Sequence, residues 1–414
     1  MSQNFTRSTL MHKNIPLADL KLTKRSGNII DVIKTYNIDH APLTTIIQGR
    51  LDCLKLDSWF SGRSIPASRQ NVGKLMRKLD ITNPAALALQ SFGLSLSDHY
   101  WIKPTNQDIT WESINFFQND FSDDIGKILM GEKDSSDPDI NVKSPDNSSD
   151  GVLQKRWKII DEKRMLIKGH NRDHQLQQEP FNEVIATQIM KELGIEHTAY
   201  EQIFIDNKPY SLCEIYTTED LEYITAWSIL NGFKRARELS EYEQLIKTCF
   251  ELGVTNIRGQ LEQMLTLDYL IANTDRHQGN FGVLRDANTL EYKSTVPIFD
   301  SGASLWCNGS PVSGIQLSKP FKARHSSQIK LVKDLSWYEP IPPQTLTDII
   351  ITTLSKNTPI KDIRMGLSSE RIEKIAIAVN ERAEFITKLK LELSPKIVPA
   401  SISKQNSVNT SHST

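Results

Sequence analysis

The chain has 414 residues, enough for two or three domains, and its 49 basic and 50 acidic residues leave a formal net charge of −1. This balance argues against a nucleic-acid-binding or membrane-binding surface. The sequence contains no apolar run near the ~20 residues that span a bilayer, and no secretory signal at its start, so a cytoplasmic protein is expected. Its 4 cysteines are scattered without metal or redox spacing, which predicts free thiols.

Residues 1–130 are predicted to form a separate domain. They contain turn-rich segments, a helical stretch at 67–79 and an aromatic cluster at 100–121 that is more typical of a core than of a docking face. Arg63 and Arg69 near the helix start could bind an anion, but a solvated helix start is the favoured interpretation. We expect an accessory domain that packs on the rest of the protein and aids the choice of substrate or partner.

The segment that follows is rich in Ser, Asp, Asn and Pro. Residues 131–149 are typical of a linker, and 144–151 form a small-residue loop ahead of a strand-like run. Backbone N–H groups and hydroxyls of such a loop can face phosphate, which makes Ser148, Ser149 and Gly151 candidates for nucleotide binding. No Gly-Lys-Ser/Thr follows, so this is not a Walker loop. Composition alone favours a flexible surface loop.

Lys168 closes an apolar strand. Its stem is expected to be buried, and its ammonium then needs an anion, either a nucleotide phosphate or a carboxylate. A helix is predicted over 180–193, with a Pro in its first turn and a Gly after its end. Glu183 could pair with Lys168 from this helix, and Glu179 at the helix start is the competing partner. Ordinary pairing with the helix dipole is the alternative for each Glu.

A hairpin and a hinge are predicted next. Residues 202–205 and 210–216 alternate as strands around a short polar turn. Residues 214–217 would then connect the two halves of the protein, with backbone groups available to an adenine ring. Glu214 and Tyr216 are therefore candidate nucleotide-binding residues.

The motif with the most chemical content is Asp275-Arg276-His277-Gln278-Gly279-Asn280, followed by Asp300-Ser301-Gly302. An Asp, an Asn five positions later and a second Asp before a Gly are the groups that ATP-dependent phosphoryl transfer uses. Asp275 could orient a substrate hydroxyl as the catalytic Asp. Asn280 and Asp300 are hard oxygen ligands suited to magnesium. The alternative is a set of capping and turn residues, since Asn, Asp and Gly dominate turns.

The surroundings of this motif indicate a cleft. A buried helix is predicted at 261–271, and two short strands at 281–284 and 296–299 flank a turn-rich connector at 285–294. A helix, a loop and a hairpin in this order would bring the three polar side chains to one opening.

Two further side chains of the motif, His277 and Arg276, each have more than one interpretation. His277 could support the loop by hydrogen bonding to the backbone or to Asp300, and this is favoured over a metal-ligand role because no second His or Cys lies at ligand spacing. We therefore include His277 among the nucleotide-site residues. Arg276 could pair with a carboxylate or a phosphate, or could be solvated.

On these residues the chain resembles the HipA-like atypical serine/threonine kinases, which share a distant kinase-like fold with the phosphatidylinositol kinases. The resemblance covers about 140–390 and is carried by Lys168, the Asn182-Glu183 pair, the 275–280 motif and Asp300. It implies that Asp275 is the catalytic Asp, that Asn280 and Asp300 bind magnesium, and that Lys168 binds phosphate. ATP and Mg²⁺ would be the cofactors.

Two features depart from that family. Gln278-Gly279 stands where a small residue and a Lys are common, and the N-terminal region differs from the family's usual small subdomain. The resemblance also implies that a Ser of the phosphate-covering loop can be autophosphorylated, and Ser144, Ser148 and Ser149 are candidates. A toxin role with an antitoxin-like regulator is implied by resemblance alone.

The sequence therefore predicts an α+β, bilobal protein-kinase-like fold with an extra N-terminal accessory domain. The expected divisions are an accessory domain at 1–130, a β-rich lobe with the phosphate-covering loop at 131–220, a helical lobe at 221–395 and a disordered tail at 396–414. The expected activity is phosphoryl transfer to a Ser or Thr hydroxyl of an unidentified protein, including its own. A kinase of a small-molecule or lipid hydroxyl and a nucleotide-binding pseudokinase are the alternatives.

Overall fold

The computed structural model describes residues 4–69, 71–134, 137, 139–149, 151, 153–171, 174, 176–310, 312–322, 328–356 and 367–394. The predicted disordered tail at 396–414 lies outside these residues. Within the described part of the chain, no helix combines the length and apolarity needed to cross a membrane.

The described strands are β1 (Phe5–His12), β2 (Ile15–Thr23), β3 (Ile29–Thr35), β4 (Ile46–Ile47), β5 (Arg50–Leu51), β6 (Tyr100–Pro104), β7 (Lys155–Ile160), β8 (Lys163–Lys168), β9 (Tyr200–Ile205), β10 (Lys208–Glu214), β11 (Leu221–Thr225), β12 (Gly282–Asp286) and β13 (Tyr292–Thr295). The described α-helices are α1 (Cys53–Gly62), α2 (Val72–Lys78), α3 (Pro84–Leu89), α4 (Trp111–Ile114), α5 (Asp124–Met130), α6 (Glu179–Glu192), α7 (Ala226–Gly232), α8 (Glu241–Glu251), α9 (Ile257–Leu270), α10 (Pro343–Leu354) and α11 (Ser369–Leu393). Short 3₁₀ helices cover Ile38–His40, Leu43–Thr45, Pro145–Ser148 and Gln328–Leu331.

The first sheet is antiparallel, with the strand order β3-β2-β1-β6. Leu10 of β1 and Leu20 of β2 are fully buried and pack with Leu56 and Phe60 of α1. Strand residues alternate between the two faces of a sheet, so α1 covers one apolar face, while Met11 of β1 and Trp101 of β6 are buried in a separate cluster.

Most aromatic residues of the predicted cluster at 100–121 form a core, as their spacing predicts. Trp101, Trp111 and Phe116 are almost completely buried in one cluster. Trp157 of β7 and Ile215, just after β10, pack against the same cluster. The N-terminal residues therefore share apolar contacts with the second sheet.

The predicted helix at 67–79 is shorter in the structure, because α2 begins only at Val72. Arg69 is 4% exposed and donates to the backbone carbonyl of Ser149 at 2.8 Å and to that of Gly151 at 3.0 Å. The segment before α2 is not helical, and the Arg69 guanidinium is directed toward the carbonyl groups of Ser149 and Gly151. The interpretation of Arg69 as part of a solvated helix start was wrong.

Arg63 is also held by protein groups. Its guanidinium pairs with Asp98, donates to the Gly93 carbonyl at 2.9 Å and lies 4.8 Å from the centre of the Trp59 ring. This arginine too is paired rather than solvated.

The second sheet has the order β7-β8-β10-β9, with all neighbours antiparallel. β9 and β10 form the predicted hairpin. Asp206 and Asn207 in its turn have φ of 48° and 61°, which is the positive backbone geometry of a two-residue hairpin. Helix α6 packs on this sheet through Val184, which contacts a cluster with Tyr200 and Cys213.

The third sheet has the order β11-β12-β13 and differs from the predicted hairpin. Its last strand is Tyr292–Thr295, inside the stretch that was expected to be a connector. Asp286 closes the turn early, since its carboxylate accepts from the N–H groups of Asn288 and Thr289. The predicted strand at 296–299 leaves the sheet instead, and Ile298 pairs with His197.

The largest apolar core is helical. Buried side chains of α6, α8, α9, α10 and α11 form one cluster with residues of the third sheet. Within α9, the predicted buried helix, Leu261, Leu265 and Leu270 are at most 2% exposed. This helix therefore presents the 275–280 segment from a rigid position.

A buried polar network joins the first sheet to the third. Glu222 of β11 pairs with Arg285 of β12 at 2.7 Å and with His12 of β1 at 3.1 Å. His99 Nδ1 lies 3.6 Å from the same carboxylate. Burial alone would raise the pKa of Glu222, but His12 and Arg285 outweigh it and hold the pKa well below its ordinary value.

Replacing Glu222 with Gln is expected to lower the free energy of unfolding by about 3–5 kcal/mol, because Arg285 would remain buried without a countercharge. Denaturant unfolding measures this. Since the folded pKa of Glu222 is depressed, its contribution is present at neutral pH and is lost as the pH falls below about 4.3, the unfolded value. Glu339→Gln, whose partner is Lys390 and whose side chain is 83% exposed, is the control. Equal losses in both variants would contradict the role of this network.

Candidate active site

A cavity of about 670 Å³ lies where the three sheets meet. Its wall contains ten of the eleven predicted site residues: Ser148, Ser149, Gly151, Lys168, Glu214, Tyr216, Asp275, His277, Asn280 and Asp300. The eleventh, Glu183, lies behind Lys168 and contacts it directly. Residues far apart in sequence thus meet around one space large enough for a small-molecule ligand.

Lys168 stands at the centre of a charged group. It ends β8, its side chain is 6% exposed, and its ammonium donates to the carboxylates of both Glu183 and Asp300. The predicted Lys168–Glu183 pair is therefore present. The competing partner, Glu179, binds His174 instead.

The charges in this group stabilise one another. Burial alone would lower the pKa of Lys168, but attraction to Asp300 and Glu183 raises it above its ordinary value. Burial would raise the pKa of Asp300, yet Lys168 holds it well below the usual range. Burial raises the pKa of Glu183, and Lys168 opposes this. Lys168 and Asp300 are therefore charged at neutral pH.

Helix α6 fixes the segment that carries Asp300. Asn182 donates to the carbonyl groups of Gly302 at 2.8 Å and Ser304 at 2.7 Å, and Glu183 accepts from the Ser301 N–H at 2.9 Å. A Cβ atom on Gly302 would lie 3.1 Å from the backbone of α6, so this approach favours Gly. Asp300 itself has φ of 58°, a backbone conformation that persists only where the surroundings impose it.

Arg276 holds the 275–280 loop against the Asp300 segment. It is 2% exposed and pairs with Asp268 of α9 at 2.9 Å. It also donates to the Phe299 carbonyl and, at 3.2 Å, to the Ser301 hydroxyl. The sequence analysis did not identify an ion-pair partner for Arg276, and the role of Asp268 as that partner was missed. The available signal was a charged residue inside an otherwise apolar helical run, since a buried carboxylate needs a partner.

Arg276→Lys is expected to lower the free energy of unfolding by about 1–3 kcal/mol, because a lysine cannot reach all the acceptors and would leave buried oxygen atoms without donors. Denaturant unfolding measures this loss. Arg235→Lys, at an arginine whose side chain is 51% exposed, is the matched control. Equal stability of Arg276→Lys and the wild type would show that the guanidinium does not hold the two loops together.

The loop places Asp275 and Asn280 side by side. Asn280 donates through its side chain to the Asp275 carbonyl at 3.4 Å, and the Asp275 N–H donates to the Asn273 side chain at 3.0 Å. Burial raises the pKa of Asp275, while the nearby His277 opposes the rise and Asp300 adds to it. A carboxylate with a raised pKa is a better proton acceptor than an ordinary Asp.

The remaining predicted residues have more limited contacts. His277 accepts a hydrogen bond from the Gly279 N–H at 3.1 Å, which is the predicted backbone support. The Glu214 side chain is half exposed and pairs with Lys163. The ring of Tyr216 packs against that of Phe299 at a tilt of 33°, with ring centres 5.0 Å apart.

Within the loop predicted at 144–151, the described residues 144–149 are less open than the sequence predicts. Ser144 and Asn147 are fully buried, and the Ser144 hydroxyl donates to Asp146 at 3.1 Å. The interpretation of this stretch as the end of a linker was wrong, since polar side chains fix it in a 3₁₀ helix. Ser148 and Ser149 reach the cavity wall, whereas Ser144 does not.

The N-terminal residues form a wall of the cavity that sequence reasoning missed. Among the lining residues are Leu43, Trp59, Arg63, Ser97 and Asp98. Contacts with the rest of the chain hold this wall: the Tyr223 N–H donates to the Ser97 carbonyl at 2.8 Å. These residues follow no local motif, so the sequence offered no signal.

The fold and the cavity define a mixed α+β protein with a charged cleft. No family model matches the chain. It is 27% identical over 132 residues to the serine/threonine-protein kinase CtkA of Helicobacter pylori, a match that covers 30% of this chain and only 40% of that kinase. The predicted resemblance to the HipA-like serine/threonine kinases is confirmed, as a distant similarity to HipA- and CtkA-like kinases.

Comparison with solved structures shows which fold the chain resembles. A Shewanella oneidensis HipA, in a complex with HipB and operator DNA, matches 93% of this chain and 99% of its own chain with a TM-score of 0.51 and 13% identity. The crystal structure of the proinflammatory kinase CtkA of Helicobacter pylori matches 60% of this chain and 95% of its own, with a TM-score of 0.46 and 19% identity. The chain thus has a HipA-like α+β fold over most of its length.

Proposed function

We propose that this protein is a magnesium- and ATP-dependent kinase of a protein Ser or Thr hydroxyl. The observation that supports it most is the meeting of Lys168, Asp275, Asn280 and Asp300 on one cavity, with Glu183 behind the lysine. These are the groups that phosphoryl transfer needs: one cation for phosphate, two oxygen ligands for metal and one carboxylate for the acceptor.

Each residue has a defined part in this proposal. Lys168 is charged. With a metal ion in place of this ammonium at the Asp300 carboxylate, Lys168 would be available to contact the nucleotide phosphates. Asn280 and Asp300 would hold magnesium through their side-chain oxygens. Asp275 would orient the acceptor hydroxyl and take its proton. When bound, magnesium ATP supplies the phosphoryl group and neutralises the charge that develops on it.

The cavity fits such a ligand. The Ser148 hydroxyl is buried at the wall without a hydrogen-bond partner among the described residues, so it can donate to a phosphate oxygen. Elsewhere on the wall, Ile215 continues the backbone pairing of the sheet by donating to the Arg164 carbonyl at 3.0 Å. Tyr216 and Thr217 follow it on the wall, and their backbone groups would be available to an adenine ring.

The architecture proposed for this function is bilobal. We assign the sheet β7-β8-β10-β9 with α6 to the β-rich lobe and the helical core to the second lobe. The N-terminal sheet would be the accessory domain, and Trp59 and Asp98 on the cavity wall would be available to contact the acceptor. An antitoxin-like regulator and a toxin role extend the proposal by resemblance only.

Transfer of labelled γ-phosphate from ATP tests the proposal. Purified protein with magnesium is expected to label itself or one protein of a lysate, at Ser or Thr, and chelation of magnesium should abolish the label. Label recovered only in small molecules or lipids would support the alternative kinase. Nucleotide binding without any transfer would support a pseudokinase.

A further inference from the structure

A second group of metal-ligating side chains lies next to the proposed active site. His174 follows β8, Glu179 is the first residue of α6, and Cys307 lies in the turn after Asp300. His174 Nδ1 is 2.5 Å from a Glu179 carboxylate oxygen and 4.0 Å from Cys307 Sγ. One ligand atom from each residue lies within 4.8 Å of the others.

This arrangement does not suit nucleophilic catalysis. In a Cys-His-acid or Ser-His-Asp site the acid holds one ring nitrogen, and the nucleophile uses the other. Here the carboxylate and the thiol both approach Nδ1 of His174. Three ligand atoms that lie within 4.8 Å of one another can instead share one cation.

We propose that His174, Glu179 and Cys307 bind a zinc ion, separately from the magnesium ligands proposed for the cavity. A thiolate and a carboxylate supply two negative charges, which balance a divalent ion. Thiolate with imidazole favours zinc over magnesium. Water is the natural fourth ligand, because the His174 side chain is 24% exposed whereas Glu179 and Cys307 are buried.

A buried oxygen atom without a hydrogen-bond partner also supports a metal ion at this cluster. Oε2 of Glu179 is buried and has no hydrogen-bond partner among the described residues, although the residue is only 2% exposed. The other oxygen, Oε1, accepts from the Asn171 N–H at 3.2 Å and contacts His174. A buried carboxylate oxygen without a partner is costly, and a metal bond would satisfy it.

The required movement is small. Tetrahedral zinc places its nitrogen and oxygen ligands about 3.4 Å apart and its nitrogen and sulfur ligands about 3.6 Å apart. With Oε1 as the oxygen ligand, the imidazole would move by less than about 1 Å, away from that oxygen and toward the thiol, and Oε2 would then face the same ion. Zinc binding would release the thiol proton to solvent, so the affinity should fall as the pH falls.

A second buried cluster is a weaker zinc site. His12, His99 and Glu222 also bring one ligand atom each within 4.8 Å. Glu222 is already neutralised by Arg285 at 2.7 Å, so a divalent ion there would add buried positive charge without compensation. This cluster provides the natural competitor in an experiment.

Cobalt substitution of the reduced, metal-free, full-length protein tests the proposal. With excess magnesium present, Co²⁺ is expected to bind one equivalent and to produce thiolate-to-cobalt charge-transfer absorption, which added Zn²⁺ removes. Cys307→Ser should lose that absorption. Cys249→Ser, at a buried thiol on α8, should keep it. Glu179→Gln should weaken zinc binding more than about tenfold.

Two outcomes would overturn the assignment. Cobalt bands without a thiolate transition that disappear in His99→Ala would place the metal at the Glu222 cluster instead. Absence of stoichiometric binding would exclude both clusters. If Cys307→Ser fails to fold, alkylation of wild-type protein decides: zinc must protect Cys307 from iodoacetamide, and equal labelling with and without zinc contradicts the site.

Discussion

Asp275→Asn is expected to lower the rate of phosphate transfer by about 10²–10⁴-fold while nucleotide affinity changes little. The amide keeps the shape of the side chain but cannot take a proton from the acceptor hydroxyl. Because burial raises the pKa of Asp275, wild-type activity should fall on the acid side of the pH profile, where this carboxylate becomes protonated. Single-turnover labelling at several pH values measures both effects.

The control for this variant is Asp348→Asn, at an exposed carboxylate of α10 that accepts from Gln344. It should keep full activity. If Asp275→Asn transfers phosphate at the wild-type rate, Asp275 is not the catalytic base, and the acceptor must be deprotonated by another group.

Lys168→Met is expected to abolish phosphate transfer and to lower the free energy of unfolding by about 3–5 kcal/mol. The loss of stability follows because Glu183, 2% exposed, would be left as a buried charge without its partner. The loss of activity follows because the ammonium of Lys168 would contact the phosphates. Among the described residues of α6 and β8, no other cation lies between Glu183 and Asp300. Denaturant unfolding and label transfer measure the two effects separately.

The double variant Lys168→Met/Glu183→Gln separates structure from chemistry. Neutralising Glu183 should restore most of the lost stability but none of the activity. If the double variant regains activity, the lysine acts only as a structural partner of Glu183 and does not contact phosphate.

Local pattern was enough to predict the elements that carry the site. The apolar strand ending at Lys168, the hairpin turn at Asp206-Asn207 and helix α6 each follow from periodicity, turn chemistry and capping within a short stretch. The Lys168–Glu183 pair could be predicted as well, because a buried ammonium requires a carboxylate and few were nearby.

Features that depend on distant contacts could not be predicted in this way. Arg69 turns inward because the carbonyl groups of Ser149 and Gly151, 80 and 82 residues away, need donors. The prediction of a strand at 296–299 was wrong because the turn at Asp286 ends the hairpin early. The N-terminal cavity wall and the His174–Cys307 pairing, 133 residues apart, carry no local signal at all.

Mn²⁺ binding observed by electron paramagnetic resonance tests the central claim most directly. With ATP present, wild-type protein is expected to bind Mn²⁺ tightly, and Asn280→Ala and Asp300→Ala should each lose this ATP-dependent binding while keeping their folded structure. Undiminished ATP-dependent Mn²⁺ binding in both variants would contradict the proposal that these side chains hold the metal of the nucleotide.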